Sequence, residues 1–175
     1  MKLVPLRVLL LAMLAASIPF GDRSAYATQP ASPPAGSEVV QVEACSLVSR
    51  AEVETITGRS ALDPAGERAA ELSTCDFGDP EAPKLGGRPL AHVARLAVFS
   101  GGTSYYAGPV AQAASVYETA EKGAGGVVQV SGMGEKAHWS DGTLRVLRGP
   151  YMIEVEVEER GTAEKLAAAM LKRLP

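Results

Sequence analysis

Residues 151–158 read Tyr-Met-Ile-Glu-Val-Glu-Val-Glu, and Glu159-Arg160-Gly161 then leads into a stretch with Leu166, Met170 and Leu174 on one stripe. Tyr151, Ile153, Val155 and Val157 alternate with Met152, Glu154, Glu156 and Glu158. That is the period of an antiparallel strand with one face in a core and one in water. The stripe that follows recurs every four residues and is widened by Ala167 and Leu171, so it belongs to a helix. Thr162 is the expected cap of this helix, and Lys172 and Arg173 fall where cations suit its negative end. An apolar strand face and an apolar helix stripe joined by a short turn cover one another. The fold class expected is therefore α+β, an antiparallel β-sheet flanked by helices that cover its inner face.

Working back from this pair, Lys136–Trp139 and Thr143–Arg148 are strand-like arms around Asp141-Gly142, a strong hairpin signal. Val127–Val130 reads as a short strand. Pro109 suits the first position of a helix, Val110, Ala113, Ala114 and Tyr117 recur at helical spacing, and Gly123 ends the pattern. Leu90–Ser100 is a second apolar strand and Ser73–Phe77 a brief first one, with Gly78–Pro89 a loop between them. Ser49-Arg50-Ala51-Glu52 has capping-box spacing, Val48 and Val53 the spacing of a hydrophobic staple, and Gly58 the position of a left-handed stop. The order read is helix, strands, helix, strands, helix, in a single domain over residues 39–175.

The first residues carry an address. Lys2 and Arg7 precede the apolar run Val8–Ala16, and Ala25-Tyr26-Ala27 offers small residues at the −3 and −1 positions of a signal-peptidase site. Residues 1–27 are read as a cleaved signal peptide, the run being short of the ~20 apolar residues that span a bilayer. Residues 28–38, with Pro30, Pro33 and Pro34, are read as a flexible leader. Export to the periplasm or the medium, with no transmembrane anchor after cleavage, is the expectation.

Cys45 and Cys75 are the only cysteines. An even pair in a small exported domain forms one disulfide, and closing a loop of about 31 residues contributes up to about 3.5 kcal/mol in the chain-entropy picture. A redox-active pair would instead sit as C-x-x-C. With 17 basic and 20 acidic residues, a net charge of −3 and a pI near 5.5, the chain has no electrostatic footprint for nucleic acid. Two Cys and two His fill neither a four-thiolate nor a three-histidine zinc site, and no metal or cofactor motif is read.

Several pieces together resemble small exported bacterial domains, many of them conserved lipoproteins or sensor-type modules. They are Ala44-Cys45-Ser46-Leu47-Val48 leading into Glu52-Val53-Glu54, Thr74-Cys75-Asp76-Phe77, Gly132-Met133-Gly134-Glu135-Lys136-Ala137-His138-Trp139, and Val146-Leu147-Arg148-Gly149-Pro150-Tyr151. With the final helix they cover most of residues 44–174. The resemblance implies a PsbP-like fold and supplies no catalytic residues to carry over. The chain departs from the lipoprotein members in having no lipid-attachment Cys near the apolar run.

Two functional expectations follow. The first is a non-enzymatic binding or accessory domain of the cell envelope, engaging a protein, a peptide or a small ligand through Trp139, Tyr105, Tyr106 and His138, since aromatic rings near loops supply contact area with a polar handle. The competing place for Trp139 is under the hairpin, in the sheet core. The second is a small periplasmic enzyme using a Glu135/His138/Asp141 neighbourhood, where a carboxylate–imidazole pair supplies acid–base chemistry, with or without a metal. Convergence of those three side chains in one pocket separates the second from the first. His92, at the start of a strand, is read as solvated or packed, and Glu154, Glu156 and Glu158 as a solvated row.

Overall fold

A computed structural model of the chain describes residues 39–102 and 109–175. The signal peptide expected over 1–27, the leader expected over 28–38, and Tyr105 and Tyr106 lie outside the described residues. Two helices open the domain where one is expected. A single turn over Ala44–Leu47 (α1) precedes the capped helix Arg50–Thr57 (α2). The capping box forms as its spacing dictates: the Ser49 hydroxyl accepts from the Glu52 amide at 3.3 Å and the Glu52 carboxylate accepts from the Ser49 amide at 2.9 Å. Five strands follow, Ala65–Ala69 (β1), Leu72–Gly78 (β2), Lys84–Leu85 (β3), Arg88–Pro89 (β4) and His92–Ser100 (β5). Then come a helix over Pro109–Gly123 (α3), strands Val128–Gln129 (β6), Lys136–Ser140 (β7), Thr143–Arg148 (β8) and Tyr151–Glu156 (β9), and a last helix Arg160–Leu171 (α4).

Seven strands form one antiparallel sheet in the order β1-β2-β5-β9-β8-β7-β6, and β3 and β4 form a separate two-stranded ribbon. β9 lies at the centre, between β5 and β8. The β7–β8 turn is the predicted one: Asp141 and Gly142 both have positive φ, +48° and +76°, which matches the twist of a two-residue hairpin. β1 has no counterpart in the sequence reading, because every residue of Ala65-Gly66-Glu67-Arg68-Ala69 is exposed. An edge strand of this kind owes its place to ladder hydrogen bonds with β2 rather than to an apolar face. β3 and β4 escape for a similar reason: each is two residues long, inside the stretch read as a loop.

On one face, here the core face, register rows cross the sheet as Ser73–Val98–Ile153–Val146–Ala137 and Cys75–Leu96–Val155–Leu144–Trp139. These pack beneath Leu47 of α1, Val53 of α2, and Ala163, Leu166, Ala167 and Met170 of α4. The expected β9–α4 cover is thus in place. Polar atoms here are satisfied by the incoming chain: the Ser73 hydroxyl accepts from the Ala44 amide at 3.0 Å, and the Tyr151 hydroxyl donates to the Val40 carbonyl at 3.1 Å. Cys45 and Cys75 form the disulfide, with Cα atoms 5.1 Å apart. It ties β2 to the short α1, not to the capped helix, and so anchors a turn too short to persist on its own.

The helices do not all lie on the inner face. α3 packs on the opposite, outer face, where Ala113 and Tyr117 cover Phe99, Leu147 and Met152. Met152, expected in water, is 4% exposed. At the start of α4 the N-cap is Glu159, with no side-chain hydrogen bond, and Thr162 lies inside the helix. Arg173 does not serve the α4 end either. Its guanidinium crosses to α2 and donates to Glu52 at 2.6 Å and to the Leu47 carbonyl at 2.6 Å, while Arg148 from β8 donates to the Leu171 carbonyl at the end of α4. Two carboxylate oxygens and a free carbonyl at the α1–α2 corner offer Arg173 more than the end of its own helix does.

Candidate functional site

The sequence-predicted residues do not converge. Glu135 and Asp141 stand at opposite ends of β7, separated by about 20 Å of extended chain. Glu135 accepts from the Gly149 amide at 2.8 Å, a structural contact at the β8–β9 turn, and Asp141 occupies the hairpin turn. His138 lies between them in sequence but is 0% exposed beneath α3. Period-two geometry puts its neighbour Trp139 on the other side of the sheet, half-buried against the main core. Trp139 and His138 therefore cannot share a binding surface. Among the described residues, no group of three His, Cys, Asp or Glu is placed to hold a metal ion.

What the fold does assemble is the part of the outer face that α3 leaves open. Two register rows run across it, Thr74–Ala97–Glu154–Arg145–His138 and Asp76–Arg95–Glu156–Thr143–Ser140. Charge alternates strand by strand: acid on β2 and β9, base on β5 and β8. Arg145 pairs with Glu154 at 2.6 Å and also donates to the Ser140 hydroxyl at 3.2 Å; Arg95 pairs with Asp76 at 3.3 Å, and the His92 Nε2 atom lies 3.2 Å from the Glu156 carboxylate. Glu158, read as part of the same solvated row, pairs with Arg59 at 3.5 Å.

Small residues in the middle of this lattice create depth. Thr74 and Ala97 form the floor of a hollow of about 260 Å³, walled by Arg95, Arg145, Glu154 and Glu156. A second hollow of about 250 Å³ shares Arg95 and continues toward Asp76, His92, Leu90 and Pro89, under the β3–β4 ribbon that an Arg88–Glu67 pair at 3.1 Å ties to β1. The sequence reading missed this surface. Its one signal was the Glu154/Glu156/Glu158 row, and the bases that answer those acids come from β5 and β8, at distances in sequence that only the register fixes.

Beside the hollow, next to Arg145 in its row, His138 packs edge-on against Tyr117 of α3, with ring centroids 4.9 Å apart and planes at 71°. Neither ring nitrogen of His138, nor the Tyr117 hydroxyl, finds a hydrogen-bond partner among the described residues. Burial, reinforced by Arg145, holds the imidazole below its ordinary pKa, against the weaker pull of Glu121 and Glu154. The Tyr117 hydroxyl is pushed up to about 12, by burial and then by Glu121.

Comparison with protein-family models, curated proteins and solved structures found no match to this chain.

Proposed function

We propose that this chain is an exported, non-enzymatic binding domain of the cell envelope, and that it holds a small zwitterionic ligand on the open outer face of its sheet. The observation that carries the reading is the hollow of about 260 Å³ between two arginines and two glutamates. It is smaller than the ~300–1,000 Å³ of drug-sized pockets, so its occupant is a small molecule such as a free amino acid or a dipeptide. A ligand carboxylate joins Arg95 and Arg145, and a ligand ammonium joins Glu154 and Glu156, sharing these groups with the Arg95–Asp76 and Arg145–Glu154 pairs already formed. Arg145 is already held by Glu154 and Ser140, so fixing its side chain costs little more on binding. None of Glu135, His138 and Asp141, on which an enzymatic reading draws, lines the hollow.

Support for export comes from the basic and apolar pattern of residues 1–27 and from the Cys45–Cys75 disulfide, which oxidising compartments sustain. Among the described residues no helix is long and apolar enough to cross a membrane. Within the α+β class we place the domain with the PsbP-like arrangement, in blocks of helix, strands, helix, strands and helix. That placement rests on the resemblance carried by Ala44–Val48, Thr74–Phe77 and Gly132–Trp139.

Isothermal titration of the exported protein with free amino acids and dipeptides tests the binding reading. Saturable heat with at least one zwitterion, weakened tenfold or more by Arg145→Met and by Glu154→Gln in variants whose circular dichroism matches wild type, is the expected result. Absence of saturable binding across the panel, or equal binding by the folded variants, overturns it.

A further inference from the structure

The His138–Tyr117 contact belongs neither to the binding surface nor to the main core, and its chemistry is unusual for a helix–sheet joint. A fully buried imidazole with both nitrogens unpartnered is tolerated only as the neutral species, because an imidazolium there would have neither water nor an acceptor. Every charged group that faces it is already engaged. From α3, Glu121 accepts from Gln129 of β6 at 2.7 Å; from β9, Glu154 is taken by Arg145; from β8, Arg145 itself adds a positive charge in the adjacent register position. Gln129, opposite His138 on β6, is neutral.

Among the described residues, α3 buries Ala113 and Tyr117 on Leu147 and Met152, with Ala114, Val116 and Phe99 packed alongside, and its polar ties there include Glu121 to Gln129 and an exposed Glu118–Lys136 pair at 3.4 Å. This cluster is separate from the disulfide-braced core beneath α1, α2 and α4. A proton on His138 is therefore accommodated most readily by lifting α3, which hydrates the ring and leaves the main core intact.

We infer that α3 is an acid-released cover: protonation of His138 frees the helix from the outer sheet face and uncovers the apolar row Phe99–Met152–Leu147. That row continues into Leu72, which lines the hollow described above, so release enlarges the same outer surface. The inference stands on the buried imidazole and its neighbours and does not require the hollow to bind anything.

The size of the effect follows from linkage. If the ring stays neutral while α3 is docked and titrates near 6.5 once released, the opening equilibrium rises about tenfold between pH 7.5 and pH 5.5, a window above the titration of ordinary carboxylates. Amide exchange of the exported protein, corrected for the intrinsic pH dependence of exchange, reads this out. α3 amides should lose about tenfold in protection over that interval while α4 amides in the same sample stay within twofold, and the loss should vanish in His138→Phe, which keeps a ring against Tyr117 but cannot take a proton. Independently of any variant, the carbon resonances of the His138 ring in the wild-type protein should show no protonation while α3 remains protected. The inference is overturned if α3 protection is independent of pH, if α4 opens in step with it, if His138→Phe responds as wild type does, or if His138 protonates with α3 still docked.

Discussion

Met152 separates the reading of the strand from the reading of the fold, and Met152→Ala tests which one governs. Alternation along β9 assigns this residue to water, where truncation changes stability by less than about 0.5 kcal/mol. In the structure it is 4% exposed, clasped between Phe99 and Leu147 on the flanking strands and by Ala113 and Tyr117 above. Truncation to Ala removes three heavy atoms from that contact, worth about 2 kcal/mol of transfer free energy at roughly 0.8 kcal/mol per methylene equivalent. A residual cavity adds to this, though less than in the main core, since a single helix can settle onto the gap. The expected loss is about 2.5 kcal/mol. With a urea m-value of about 1.5 kcal/mol/M, the unfolding midpoint falls by about 1.7 M. Ile153→Val, on the core face and 0% exposed, serves as a scale, with an expected cost of about 1 kcal/mol. Urea unfolding followed by circular dichroism, with Glu158→Ala as the exposed control, gives all three numbers. A Met152→Ala protein within 0.5 kcal/mol of wild type would show that α3 does not cover this face, and the reasoning about His138 would fall with it.

Two further outcomes are expected. Gly134 has φ +55°, and a Cβ there would run into the Leu147 carbonyl oxygen and the Val146 side chain, so Gly134→Ala should cost more than about 2 kcal/mol; Gly132, at φ +81° with open space around it, should cost only the backbone strain of about 1 kcal/mol. Equal losses in thermal unfolding would remove the steric argument. Glu52 is lowered to about 2, first by the Arg173 guanidinium and then by the Ser49 amide and hydroxyl. Because the folded state favours the carboxylate, its contribution is complete above pH 4.5 and is lost as the pH falls toward 2. Half-exposure screens the pair, so the effect is modest. Urea midpoints at pH 5 and pH 2.5 should fall further for wild type than for Glu52→Gln, and parallel losses would contradict the assignment.

The sequence by itself determined the elements whose signal is local. The β9 alternation and the α4 stripe identify each other because both report one apolar side at their own period. Ser49 and Glu52, three residues apart, write a capping box; Asp141-Gly142 writes a hairpin; two cysteines with no others in the chain write a disulfide. Each of these depends on residues close together, or on there being no other partner to choose. Only the tertiary structure decided what lies across the sheet from what. β1 carries no apolar face to announce it, and α3 carries a stripe that fits either side of the sheet, so nothing local could place Met152 and His138 under a helix. The charges of the outer face obey the same rule. Glu154 and Glu156 look like a solvated row along one strand, and they become the walls of a hollow because antiparallel register sets Arg145 on one side of β9 and Arg95 on the other. Arg173 likewise sits where a helix end should hold it, yet it bonds 121 residues away to Glu52, since folding brings α2 within its reach. Periodicity specifies which side of an element is apolar; which neighbour meets that side is a property of long-range packing and is absent from any window of the sequence.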